Sequence, residues 1–225
     1  MQLKLLNTLR LPKRSKPPKP SRTLNQSGFS LLEVLISVII LSFGILGMVG
    51  MQAAALQANR DARLQSVAVS FARELAEMMR GNRTIALLPN ANPYLVDLTS
   101  SPGTPLAAAN PSYCLNVAAS TTPCVIAGAT PLANSTALAN AQMTEWLARL
   151  DTELPGARVR VCIDSAPFDA SGNAAWACTP TGTGANTVVK IGWTRSSTDR
   201  TPNNANAIDR ASKPSVVFPI TPGIV

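Results

Sequence analysis

Between Pro20 and Pro89 the chain contains no proline, and inside that interval Val34–Met51 contains no charge. An apolar stretch this long has few fates: a signal segment, a membrane span or a deeply buried helix. As a helix, residues 29–51 would extend about 35 Å, enough to cross a hydrocarbon core of about 30 Å. The one discordant residue is Glu33, near the start of the run. A carboxylate at membrane depth costs about 2.5–3.5 kcal/mol even on the mildest insertion scale, so it calls for a reason.

The charge distribution gives the run a direction. Lys4, Arg10, Lys13, Arg14, Lys16, Lys19 and Arg22 precede Gly28 without a single acidic residue. These account for nearly all of the net charge of +8, and the rest of the chain is close to neutral. A neutral body lacks the basic footprint of a nucleic-acid-binding protein, and no nucleic-acid partner is expected. A basic flank before an apolar span stays cytoplasmic, which sends the remainder outward. Cys114, Cys124, Cys162 and Cys178 agree with that orientation. Their spacings are too wide for the short cysteine pairs of zinc sites, and no histidine accompanies them. Disulfides in an oxidising compartment are the expectation.

Three processing schemes fit the N-terminus. A secretory signal could be cut near Ala53–Ala55, or the run could remain as a plain anchor, but neither explains Glu33. The third is removal of residues 1–28 by cleavage after Gly28. Phe29 then carries a new α-amino group, and Glu33 follows it on the same helix. An ammonium and a carboxylate on neighbouring apolar rods neutralise each other, which makes the pair an assembly device. The segment "GFSLLEVLISVIILSFGILGMVGMQ" resembles the class III signal of type IV prepilins. The resemblance implies that Gly28–Phe29 is cut by a prepilin peptidase, that Phe29 is N-methylated, and that Glu33 is the assembly carboxylate. The leader departs from many of that family in being long and proline-rich, "LPKRSKPPKPSR".

Beyond Met51 the apolar residues Leu56, Leu64, Val67, Ala68, Phe71, Leu75, Met78 and Met79 follow helical spacing, while most charges fall elsewhere. Residues 52–81 thus read as the amphipathic second half of one long helix, ended by Gly81 in a left-handed stop, with Glu77 and Arg80 paired. Gly44, Gly47 and Gly50 interrupt its first half. They permit close packing between membrane helices and weaken the helix by about 1 kcal/mol each. The resemblance also implies local melting there within a filament.

Residues 82–225 read as a periplasmic, disulfide-containing head. Residues 82–140 read as loop. A short helix follows over "AQMTEWLARLDTELPG", with Glu145–Arg149 and Arg149–Glu153 pairs and a stop at Pro155–Gly156. "ARVRVCI", "TVVKIGWT" and "SVVFPI" read as strands, the last confined to an edge by Pro219. Of the three possible connectivities the sequential one, Cys114–Cys124 and Cys162–Cys178, is favoured. The predicted fold is α+β: a long N-terminal helix, membrane-spanning in its first half, with a small antiparallel sheet packed on its second half. This order is similar to the pilin architecture, and "EWLARLDTELPGARVRVCID" with "VVKIGWTR" resembles the PilV group of minor pilins.

Without histidine there is no base for a nucleophilic triad, and no phosphate-binding loop is present. Asp151, Glu153, Asp164 and Asp169 read as solvated helix-face and turn residues rather than catalytic carboxylates or a calcium site. The chain is therefore expected to be no enzyme, and to need no cofactor, metal or small-molecule substrate. Its implied partners are the prepilin peptidase, major and minor pilins and the pilus assembly platform. Its implied location is the inner membrane as a single-pass protein, then the pilus or cell surface. A type II secretion pseudopilin and a signal-anchored periplasmic enzyme or binding protein are the alternatives.

Overall fold

A computed structural model of the chain describes residues 28–115, 123–196 and 208–222. The basic leader before Gly28 lies outside the described residues. The first helix, α1, runs Leu31–Gly81 without a break and contributes to two units, Met1–Met51 and Gln52–Val225. In the first unit its side chains are exposed throughout. It is long and apolar enough, by length and composition, to cross a membrane.

In the second unit α1 buries Ala68, Phe71, Ala72, Leu75, Ala76 and Met79, a stripe that recurs every three or four residues. Leu56 lies outside that stripe and is exposed. Gly81 remains helical and is not left-handed, contrary to the predicted stop. The chain turns instead at Asn82 into a short helix, α2 (Arg83–Ala86). Asn82 is buried, and its amide donates to the Ser135 carbonyl at 2.7 Å. That bond fixes the junction against the next helix, so no glycine geometry is required.

The stretch read as loop contains an edge strand, β1 (Val96–Thr99), and the beginning of α3 (Pro131–Glu153). Helix α3 starts at Pro131 rather than Ala141. Thr130 caps it by accepting from the Ala133 N–H, and Pro131 occupies the first turn. Its first turns are partly exposed and burial begins at Ala139, so apolar spacing could not reveal them. Strand β1 is only four residues long, and it is defined by its pairing with β2.

The strands β2 (Arg158–Asp164), β3 (Asn186–Gly192) and β6 (Val216–Ile220) complete an antiparallel sheet in the order β1-β2-β3-β6. Val159 stands opposite Ile191, and Val189 opposite Phe218. Pro219 lies on the edge strand β6, where a missing N–H is tolerated. A two-stranded sheet, β4 (Thr194–Ser196) with β5 (Ile208–Arg210), was not anticipated. The architecture is α+β and pilin-like: a long apolar N-terminal helix followed by a small antiparallel sheet.

Trp146 of α3 is central to the head. It is fully buried, meets Phe71 edge-on at 6.0 Å, and donates its indole N–H to the Phe71 carbonyl at 3.1 Å. Arg149, one turn further, forms a forked ion pair with Glu74 of α1 and lies over the Phe71 ring. The predicted Arg149 pairs with Glu145 and Glu153 are thus replaced by a partner on another helix. A planar guanidinium that can reach a carboxylate with both nitrogens takes that geometry first.

Candidate functional site

The N-terminal site starts from backbone geometry. Gly28, Phe29 and Ser30 are non-helical, and α1 begins one residue later. The Ser30 carbonyl accepts from the N–H groups of Glu33 at 3.0 Å and Val34 at 3.3 Å, which closes the first turn. Glu33 thereby sits in the first turn of α1, where a negative charge faces unsatisfied N–H groups and the positive end of the helix dipole. Phe29 is 83 % exposed, and Glu33 is exposed as well. Phe29, Glu33, Ser37 and Leu41 line one shallow apolar depression of about 360 Å³. The last three are spaced by four residues, so they stack on one helix face.

Two hydroxyls in this run are satisfied inside the helix. Ser37 donates to the Glu33 carbonyl and Ser42 to the Val38 carbonyl, each at 2.7 Å. Such bonds let a serine enter an apolar environment without an unpaired donor. At Gly44, Gly47 and Gly50 a β-carbon would meet nothing within 4 Å. Among the described residues, then, no contact requires those glycines.

The peptide bond between Gly28 and Phe29 lies just before the helix, beside an exposed aromatic ring. The carboxylate four residues on, exposed on an apolar face, is available to an ammonium from outside the chain. Residues 23–49 match the family described as the prokaryotic N-terminal methylation motif. The chain carries a prepilin-type N-terminal signal. That motif implies processing by a prepilin peptidase and partners of the pilin type. Together with the apolar helix it fits a membrane-anchored protein. No curated protein and no solved structure matches the chain.

In the head, Cys114 is bonded to Cys124 and Cys162 to Cys178. Asp164 departs from its reading as a solvated turn residue. It is buried, and its carboxylate lies 2.6 Å from the Lys190 ammonium. Lys190 is wholly buried and also donates to the carbonyls of Ala175 at 2.7 Å and Ala177 at 2.5 Å. Asp164 accepts from the N–H groups of Ala166 and Thr179, each at 2.9 Å. Burial pushes its carboxyl up, but the Lys190 ammonium and these N–H groups outweigh burial and hold it below the usual carboxylate range.

In the alternation of "TVVKIGWT", Lys190 falls on the face of Val188 and Thr194, across from Val189, Ile191 and Trp193. It is buried because the loop carrying Cys178 folds over that face of β3. No sequence signal marked this, since a lone lysine in a strand reads as a surface charge. The Cys162 and Cys178 sulfurs and the Asp164 carboxylate lie within 4.8 Å of one another. The sulfurs are bonded together and the carboxylate is taken by Lys190, so the trio offers no free ligand set. Asp169 is a turn residue, its carboxylate accepting from the N–H groups of Ser171 and Asn173.

Proposed function

We propose that the chain is a minor type IV pilin of the PilV kind. It is processed by a prepilin peptidase and acts in starting or modifying pilus assembly, with effects on adhesion and twitching motility. The observation that carries this reading is the exposed Phe29–Glu33 pair at the head of an apolar helix, within the methylation-motif match at residues 23–49. After cleavage the Phe29 ammonium of one subunit pairs with Glu33 of the next and sets their axial stagger. The Trp-bearing strand "TVVKIGWT" and two disulfides support a pilus subunit rather than a secretion pseudopilin. We further propose that the protein is a substrate of an enzyme and not itself one; the chain has no histidine, Asp164 is engaged by Lys190, and Asp169 is engaged by turn N–H groups.

Replacing Glu33 tests this function. Glu33→Ala should be cleaved and methylated normally, yet fail to enter pili or complexes with other pilins. Glu33→Asp should restore part of that incorporation. Unchanged incorporation of Glu33→Ala, read by immunoblot of sheared pili, removes the pairing role. Incorporation into a secretion complex but never into pili would favour the pseudopilin.

A further inference from the structure

No charged residue occurs between Asp97 and Glu145, although charges punctuate the chain on both sides. Part of this neutral stretch lines an open groove of about 600 Å³, formed with the loop that precedes β1. Among the described residues its lining has no ionisable side chain, and combines aliphatic residues with the amides of Asn90, Asn92, Asn110 and Asn140.

One side of the groove is held in place. Asn92 is buried, donates to the carbonyls of Ala86 at 3.3 Å and Leu88 at 3.1 Å, and accepts from the Tyr94 N–H at 3.0 Å. Next to it Ala91 has φ 53°, a left-handed conformation unusual for a residue with a β-carbon. Strain of this kind costs about 1–3 kcal/mol and persists where the surroundings impose it. The other amides are uncommitted. Among the described residues the side chains of Asn90, Asn110 and Asn140 have no hydrogen-bond partner; at Asn140 the backbone carbonyl is engaged, by Thr144.

We propose that this groove binds a neutral oligosaccharide. A carboxamide presents a donor and an acceptor side by side, which matches adjacent sugar hydroxyls that each donate and accept. The absence of charge gives no attraction to phosphate, sulfate or carboxylate groups, which would otherwise be the stronger ligands. Leu95, Val96 and Ala108 supply aliphatic surface for the C–H faces of a sugar ring. A volume of this size lies within the usual range for small-ligand sites, about 300–1,000 Å³. Because Asn92 fixes the loop beforehand, little ordering cost remains to be met on binding. The site is independent of the N-terminal signal.

The test uses the full chain in detergent on an array of neutral gluco-, galacto-, manno- and N-acetylglucosamine oligosaccharides, beside sialylated and sulfated counterparts. Retention is expected on at least one neutral series, with little change between about 50 and 500 mM salt. It should fall roughly tenfold in Asn110→Ala/Asn140→Ala. Asn90→Ala, on an exposed loop, should weaken retention without altering the melting temperature, which separates lost contacts from lost folding. No retention on any neutral series, retention confined to charged glycans, or retention unchanged in both variants would overturn the proposal.

Discussion

The Lys190 ammonium lies 2.6 Å from the Asp164 carboxylate, with the two residues 0 % and 2 % exposed. Around this pair the loop carrying Cys178 is held to the sheet twice, once by the Cys162–Cys178 bond and once by Lys190 contacts to Ala175 and Ala177. A buried pair of this kind is weak evidence of net stabilisation, but removing one partner strands the other charge. Lys190→Met should therefore lower stability by about 3–5 kcal/mol, read by denaturant unfolding. Lys190→Met/Asp164→Asn should recover part of that loss.

The same pair sets the acid response. Because the Asp164 carboxyl is held below its ordinary value in the folded chain, its contribution is complete above about pH 3.9, the unfolded value. It is lost as pH falls through the lower, folded value. Unfolding midpoints should drop more steeply below about pH 4 in the parent chain than in Asp164→Asn. At the other extreme, burial pushes the Tyr94 hydroxyl up to about 12, against a smaller opposing bond from Asn82. Its contribution is complete below about pH 10 and is lost as pH rises towards 12. Tyr94→Phe should flatten that alkaline decline.

Trp146 and Phe71 join the head to the helix that carries it. Trp146→Phe removes the N–H donor to the Phe71 carbonyl and part of the edge-on contact, and should cost about 1–2 kcal/mol. Trp146→Ala should cost about 3–5 kcal/mol by leaving a large cavity. Thermal melts of the two variants check the order.

Gly156 and Gly192 are each required by close neighbours. Gly156 has φ 58°, and a β-carbon there would lie 2.2 Å from Thr194 Oγ1. At Gly192 it would lie 2.9 Å from Trp176 Cζ2 and 3.3 Å from the Lys213 carbonyl. Alanine at either site should lower stability by about 1–3 kcal/mol. Gly47→Ala is the contrast: it meets nothing within 4 Å and should strengthen the isolated helix by about 1 kcal/mol. Any loss of incorporation in that variant, scored in sheared pili, then reflects closer packing between subunits or the melting that a stiffer helix resists, not a contact among the described residues.

The elements legible in the sequence were those with sustained periodicity. The stripe from Ala68 to Met79 and the alternation Val159–Val161 both read correctly because one face is buried against a continuous core. Strand β1 and the first turns of α3 escaped because their residues are half exposed and owe their form to pairing and capping. Asp164 and Arg149 differ from their sequence reading for a common reason: a charge looks solvated or locally paired unless its long-range partner is known. The N-terminal motif was legible because it is local, with Gly28, Phe29 and Glu33 inside six consecutive residues of the matched stretch 23–49.

The central claim concerns where the mature chain begins. Intact-mass measurement of the chain expressed with a prepilin peptidase, beside the same chain without it, decides this directly. The expected product starts at Phe29 and carries one methyl group on its α-nitrogen, while the untreated chain keeps its basic leader. A mature chain starting at any other residue, or a leader retained in the presence of active peptidase, would contradict the prepilin assignment.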